Sequence, residues 1–156
     1  MLIDHLSIIG VGLIGGSLAR ALRKAKLVGR VTGCNRSEET LKKAVQLGVI
    51  DDYSLDIYEA VKKSDVIVIG TPLAISEKLL PQIADSMSAN TVLTDVGSVK
   101  SGIVKAARQT LFEKFCNFVP GHPIAGTEKN GVEASLEDLF VNHRVILTPV
   151  KETCPK

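Results

Sequence analysis

The chain has 156 residues, of which 45% are hydrophobic and 23% are charged. This composition is typical of a globular domain with its own core and argues against an intrinsically disordered protein. The formal charge is only +2 with basic and acidic residues mixed along the chain, which argues against nucleic acid as a partner, and no segment approaches the roughly 20 apolar residues that cross a membrane.

Short apolar runs alternate with segments whose apolar residues recur at helical spacing. The predicted strands are residues 5–10, 30–35, 65–72, 90–98, 117–121 and 143–149. The predicted helices are residues 13–25, 37–48, 73–87 and 101–115. Ser37 is the expected N-cap of the second helix, and Pro81 is expected to kink or break the third.

Apolar strands separated by helices predict an α/β fold of the Rossmann type, with a doubly wound, mainly parallel sheet and helices on both faces. No linker or internal repeat divides the chain, so residues 1–156 are expected to form one domain. In such sheets ligands bind at the carboxyl ends of the strands, where the loops converge. The polar residues of these loops are therefore the candidates for a functional site.

The loop after the first strand, GVGLIG, carries a dinucleotide-binding fingerprint between a strand and a helix. Gly10 allows the tight turn, Gly12 lets the backbone approach a pyrophosphate, and Gly15 lets helix and strand pack closely. Leu13 and Ile14 begin the helix, where free N–H groups and positive potential favour phosphate. The motif predicts a bound dinucleotide cofactor.

The residues after the second strand bear on which cofactor binds. An acidic residue about 20 positions after the last glycine normally accepts a hydrogen bond from the ribose 2′-OH of NAD. Here that position is Asn35, followed by Arg36 and Ser37, and an arginine with short polar neighbours can hold a 2′-phosphate. The pattern favours NADP, with NAD bound through Asn35 as the alternative. Thr71 and Pro72, in the loop after the third strand, complete the predicted cofactor site.

Two further loops carry candidates for chemistry. Ser98 follows the fourth strand and could cap the next helix or reach the nicotinamide, and Asp95 and Lys100 could form a structural ion pair beside it. Residues 120–135, PGHPIAGTEKNGVEAS, fit neither a helix face nor a strand. Their His122 faces the same predicted cleft, where an imidazole could take a hydroxyl proton as hydride leaves.

The other two histidines, His5 and His143, adjoin apolar strands and are expected to be structural. The cysteines, Cys34, Cys116 and Cys154, are odd in number and lack C-x-x-C spacing, so neither a disulfide framework nor a metal site is predicted. No basic segment precedes the first apolar run, so a cytoplasmic location is expected.

Taken together, GVGLIGGSLA, TDVGSVK and GHPIAGTEKNGVEAS resemble the prephenate and arogenate dehydrogenases of tyrosine biosynthesis. The resemblance covers essentially the whole chain. Many reductases share the glycine fingerprint, whereas GHPIAGTE, preceded by D-x-x-S-x-K, is far more specific to this family.

The resemblance implies an enzyme that oxidatively decarboxylates prephenate to 4-hydroxyphenylpyruvate, or arogenate to tyrosine. It implies that His122 accepts the proton of the ring hydroxyl, that Ser98 orients that hydroxyl and the imidazole, and that Glu128 is a nearby supporting or gating carboxylate. Family members continue into an all-helical domain that supplies much of a homodimer interface and cationic groups for the substrate. This chain lacks that domain, so it is expected to be a C-terminally truncated cofactor domain.

Two other functions stay open at this point. Another NADP-dependent reductase of a small substrate, such as an imine or ketoacid, accounts for the fingerprint but leaves GHPIAGTE unexplained. A non-catalytic nucleotide-binding or redox-sensing module fits the short chain, but it needs only the cofactor loops and not Ser98 or His122.

Overall fold

A computed structural model describes residues 1–154, which form eight strands and five α-helices. The strands are β1 Ile3–Ile9, β2 Val28–Cys34, β3 Asp52–Ser54, β4 Val66–Ile69, β5 Val92–Asp95, β6 Phe118–Val119, β7 Gly121–Ile124 and β8 Arg144–Leu147. The helices are α1 Leu13–Lys24, α2 Glu38–Gln46, α3 Ile57–Val61, α4 Leu73–Ser86 and α5 Ser101–Thr110. Short 3₁₀ helices cover Phe112–Asn117 and Val132–Ala134.

Six strands form one parallel sheet in the order β3-β2-β1-β4-β5-β6. The chain runs outward from β1 in one direction and then from β4 in the other, which is the doubly wound order of a Rossmann fold. The order reverses between β1 and β4, where Ile8 pairs with Val68 and Ile9 with Ile69. A crevice opens beyond the carboxyl ends of these two strands, and ligands of this fold bind there.

Helices cover both faces of this sheet because successive side chains of its apolar strands point to opposite sides. In β4, Ile67 and Ile69 belong to one hydrophobic cluster with α3, α4 and α5, whereas Val68 belongs to a second cluster with α1 and α2. The predicted fold class is thereby confirmed. None of the helices in residues 1–154 has the length and apolar character needed to cross a bilayer.

The predictions of a break at Pro81 and of a helix over residues 101–115 need correction, and two short elements were not predicted. Helix α4 continues past Pro81, because the burial of Leu80 and Ile83 offsets the loss of one backbone hydrogen bond, so a break is wrong. Helix α5 ends at Thr110 because Phe112, at φ 47°, adopts a left-handed conformation that a helix cannot contain. The short elements β3 and α3 lie in a stretch with no clear periodicity.

The prediction that residues 120–135 contain no strand is wrong. Gly121–Ile124 forms β7, which pairs antiparallel with β8 in a separate two-stranded sheet, with His122 opposite Ile146. The strand predicted at 143–149 therefore exists but does not extend the parallel sheet. All four residues of β8 are exposed, whereas β7 has a buried Gly121 and half-buried His122 and Pro123.

Candidate functional site

The glycine loop lies at the switch point of the sheet and is packed too closely for side chains. Gly10 has φ 97°, and a Cβ there would lie 2.7 Å from the carbonyl carbon of Gly70 in the loop after β4. A Cβ on Gly15 would lie 2.8 Å from Cγ2 of Ile8, so only glycine lets α1 approach β1 this closely. These contacts account for two of the three fingerprint glycines.

Gly12 has a different environment, because a Cβ there would meet no protein atom within 4 Å. It is the N-cap of α1, makes no side-chain cap, and the first turn, with Leu13 and Ile14, contains no acidic residue. The helix therefore presents uncapped N–H groups and its positive end to open space. These are the properties of an anion site, and a dinucleotide pyrophosphate fits them.

Asn35 fastens the glycine loop from the end of β2. Its side-chain Oδ1 accepts a hydrogen bond of 2.7 Å from the backbone N–H of Val11, and its Nδ2 lies 3.4 Å from the Val11 carbonyl oxygen. The sequence places Asn35 at the ribose position, but it does not show this bond to the loop. The side chain thus stabilises the conformation on which pyrophosphate binding depends.

A cleft of about 680 Å³ opens beside this loop, between the ends of β2 and β4. Its apolar walls include Ile57, Ile75 and Leu79 and suit a flat aromatic base. Its lining also contains the predicted cofactor residues Asn35, Arg36, Ser37, Thr71 and Pro72.

The two residues after Asn35 differ in how they are bound. Arg36 is exposed at the cleft and makes no hydrogen bond or ion pair with residues 1–154, so its guanidinium can bind a ligand. The Ser37 hydroxyl accepts a bond of 3.3 Å from the Thr40 N–H, which confirms the predicted N-cap of α2. Arg36 is therefore the cation available at this end of the cleft.

The thiol of Cys34 lies in the same cleft, at the end of β2. Burial, with a smaller contribution from the carboxylate of Asp56, raises its pKa to about 11. The thiol is accordingly protonated at neutral pH and contributes an apolar surface to the cleft.

Thr71 and Pro72 connect this cleft to a second, smaller one. Buried Ser76 holds their turn, through a contact of 2.9 Å with the Thr71 hydroxyl and a bond of 3.0 Å to the Thr71 carbonyl oxygen. The same turn also lines a cavity of about 180 Å³ whose other side includes Ser98. The candidate site therefore extends along the sheet edge from Arg36 to Ser98.

The loop that carries Ser98 is bound to the strand that carries His122. Lys100 forms an ion pair with buried Asp95 and also donates a bond of 2.6 Å to the carbonyl oxygen of Gly121. The predicted structural ion pair is thus confirmed. Lys100, not Ser98, occupies the N-cap position of α5, and Ser98 is exposed with its hydroxyl unbound by residues 1–154.

His122 differs from the other two histidines in having no side-chain partner. Its half-buried ring makes no hydrogen bond within residues 1–154, whereas Nε2 of His5 contacts Thr32 Oγ1 at 2.8 Å and Nδ1 of His143 contacts the Val141 carbonyl oxygen at 3.0 Å. The two latter rings have the structural contacts that the sequence predicts. The imidazole of His122 remains available to a ligand.

Glu128 lies apart from these residues, on an exposed loop between β7 and the 3₁₀ helix Val132–Ala134. It lines a different cavity, whose other residues include Glu133 and Leu136 and neither Ser98 nor His122. Lys100 thus links the Ser98 loop to the strand of His122. Neither the larger cleft nor the small cavity beside Ser98 has Glu128 or His122 in its lining.

The segment after this loop packs on α1, which sequence reasoning missed. The hydroxyl of buried Ser17 accepts a bond of 2.9 Å from the Leu136 N–H, and Arg20 Nε donates to Ser135 Oγ at 2.9 Å. A Cβ on Gly16 would lie 2.9 Å from Ser135 Cβ, so the second glycine of the GG pair admits this segment. The loop carrying Glu128 is therefore anchored at both ends.

Comparison with known proteins identifies the family of this chain. The family model described as "Prephenate dehydrogenase, nucleotide-binding domain" matches residues 18–156. The chain belongs to the prephenate dehydrogenase family. The prephenate dehydrogenase of Bacillus subtilis (strain 168) is 40% identical over 151 residues, which cover 96% of this chain and 40% of that relative.

Solved structures of the family superpose closely on this chain. Prephenate dehydrogenase from A. aeolicus, in complex with hydroxyphenyl propionate and NAD+, gives a TM-score of 0.90 at 36% identity and covers 99% of this chain and 53% of that one. Synechocystis arogenate dehydrogenase gives a TM-score of 0.87 at 33% identity, with 97% of this chain and 52% of that one covered. The chain spans about half the length of the relatives it matches.

Proposed function

We propose that residues 1–156 are the cofactor domain of an NAD(P)-dependent dehydrogenase that oxidatively decarboxylates prephenate or arogenate. The observation that carries this proposal is the hydrogen bond by which Lys100 joins the Ser98 loop to the His122 strand, beside a small cavity that shares Thr71 and Pro72 with the larger cleft. A sensor or carrier of nucleotide would need the cleft alone. Membership of the family supports the proposal, and the B. subtilis and A. aeolicus relatives are named prephenate dehydrogenases.

In the proposed reaction His122 hydrogen-bonds the ring hydroxyl of the substrate and accepts its proton as hydride leaves the adjoining carbon. When bound, the nicotinamide supplies the acceptor for that hydride. Loss of carbon dioxide returns an electron pair to the ring, which becomes aromatic. Because aromatisation favours the loss of carbon dioxide, the protein has mainly to orient the substrate and to accept the proton of its ring hydroxyl.

Ser98 is proposed to orient the hydroxyl, because its own hydroxyl borders the small cavity and has no partner within residues 1–154. Glu128 is proposed to be a supporting or gating carboxylate on the loop between β7 and the 3₁₀ helix Val132–Ala134. It is exposed and lines a cavity that does not contain Ser98.

The cofactor is proposed to be NADP rather than NAD. Arg36 is exposed at the larger cleft without an internal partner, which suits a 2′-phosphate. The A. aeolicus relative was solved with NAD+. Calorimetric titration should give tighter binding of NADP+ than of NAD+, and Arg36→Gln should weaken only the former. Equal affinities in the unchanged chain would contradict the preference.

The activity is tested by following prephenate-dependent or arogenate-dependent formation of reduced nicotinamide. The chain is assayed alone and with the helical domain of a family member supplied, because the relatives are about twice as long. His122→Asn should abolish turnover and leave cofactor affinity unchanged, and His143→Asn is the matched control. Retained turnover in His122→Asn would overturn the assignment. A cytoplasmic location and a homodimer of the longer form also stay predictions.

A further inference from the structure

Both backbone polar groups of Gly121 bind the buried ion pair between Asp95 and Lys100. Its carbonyl oxygen accepts a bond of 2.6 Å from Lys100 Nζ, and its N–H donates to Asp95 Oδ1 at 3.3 Å. Asp95 is 5% exposed and Lys100 17% exposed at the side chain, and the other carboxylate oxygen, Oδ2, also accepts from the Gly97 N–H at 2.9 Å. The pair therefore joins the end of β5, the Ser98 loop and the start of β7.

Gly121 is also pressed against β5. A Cβ there would lie 2.8 Å from the Asp95 carbonyl oxygen and 3.2 Å from Thr94 Oγ1. The chain can approach this closely only because residue 121 is glycine. The ion pair and the close packing act at the same point, one residue before His122.

Little else in residues 1–154 holds β7 in place. Its partner in the ladder is β8, and all four residues of β8 are exposed. The carbonyl oxygen of Pro120 adds two bonds, from the Thr148 N–H at 2.9 Å and from the Thr148 hydroxyl at 3.4 Å. An isolated two-stranded sheet is marginally stable, and β8 contributes no buried residue. The direction of the His122 side chain therefore depends on the junction of β7 with β5.

From this geometry we infer that Lys100, paired with Asp95, is a positioning residue that fixes His122 relative to the Ser98 loop and the cofactor cleft. The inference rests on the proposed function for the catalytic role of His122, whereas the contacts of Lys100 with Asp95 and Gly121 are independent of it. Lys100 does this by binding the backbone and not by touching the substrate. The positive charge is balanced by Asp95, and two of its three donors are directed to Asp95 and Gly121.

The chain provides a matched control for this role. Lys114 also binds backbone carbonyl oxygens, those of Ala84 at 2.6 Å and Met87 at 2.8 Å, at a position between α4 and the 3₁₀ helix after α5. None of its partners belongs to the candidate site. Lys114→Met therefore tests the loss of a lysine that binds backbone carbonyl oxygens away from the site. Lys100→Met tests the loss of the lysine that binds the strand of His122.

The first readout is the NMR signal of the histidine rings in this chain, which has three histidines. Lys100→Met should shift and broaden the His122 signals and leave those of His5 and His143 in place. Lys114→Met should leave the signals of all three histidines unchanged. Lys100→Arg keeps the positive charge, so its His122 signals should lie closer to those of the unchanged chain than the signals of Lys100→Met do. The double variant Asp95→Asn/Lys100→Met removes both charges and keeps the test available if Lys100→Met fails to fold.

The second readout is turnover with the helical domain supplied. Because a misplacement of about 1 Å can lower a rate about 100-fold, kcat should fall by this order in Lys100→Met while cofactor affinity is retained. Unchanged His122 signals in folded Lys100→Met, or in the folded double variant, would overturn the inference. Altered signals together with inactivity of the unchanged protein would instead refute the proposed function and leave the positioning role intact.

Discussion

Substitution of alanine at Gly12 and at Gly15 should separate a glycine that faces a ligand from one that packs within the protein. An added Cβ meets no protein atom within 4 Å at Gly12, but at Gly15 it would lie 2.8 Å from Ile8 Cγ2 and 3.0 Å from the Gly10 carbonyl oxygen. Gly12→Ala should therefore be tolerated by the fold. Gly15→Ala should force α1 away from β1.

The expected magnitudes differ accordingly. Gly12 is an N-cap with φ −120°, a conformation that alanine adopts without strain, so its replacement should lower the free energy of unfolding by less than about 1 kcal/mol. Overpacking at Gly15 should cost about 1–3 kcal/mol. The methyl group at position 12 enters the space proposed for the pyrophosphate, so cofactor affinity should fall at least about tenfold, or about 1.4 kcal/mol.

Urea unfolding and calorimetric titration with NAD+ and NADP+, on the same preparations, measure both effects. The reasoning requires Gly12→Ala to be the more stable variant and yet to bind poorly. It would be refuted if Gly12→Ala bound cofactor as tightly as the unchanged chain. A larger loss of stability in Gly12→Ala than in Gly15→Ala would contradict the packing argument.

Three further predictions test other parts of the structure. Asn35→Ala removes the 2.7 Å bond to the Val11 N–H and should weaken NAD+ and NADP+ equally in calorimetry; loss of one alone would contradict a role in the loop. Ser17→Ala removes the acceptor of the Leu136 N–H and should lower the free energy of unfolding by about 1–3 kcal/mol in urea, whereas no change would show that the anchor is dispensable. Because folding raises the pKa of Cys34 from 9.0 to about 11, the unfolded chain loses the proton first. Stability should then fall as pH rises from about 9 towards 11, and an equal decline in Cys34→Ala would rule this cause out.

Much of the fold could be predicted because its signals are local. The apolar runs that become β1, β2, β4 and β5, the helical spacing between them and the Ser37 cap all depend on residues close in sequence. The elements that escaped prediction have weak local signals. β7 contains glycine and proline, so its pairing with β8 arises only from contacts with residues 20 to 26 positions away.

The sequence by itself determined the fold class, the family and the loops in which the candidate residues lie, because these follow from periodicity and from motifs a few residues long. Only the tertiary structure decided what the residues contact. In it, Asn35 is hydrogen-bonded to the glycine loop, Lys100 to Gly121, which is 21 positions away, and Glu128 lines a separate cavity. Such contacts depend on how distant segments pack at the sheet edge, and no local pattern in the chain specifies that packing.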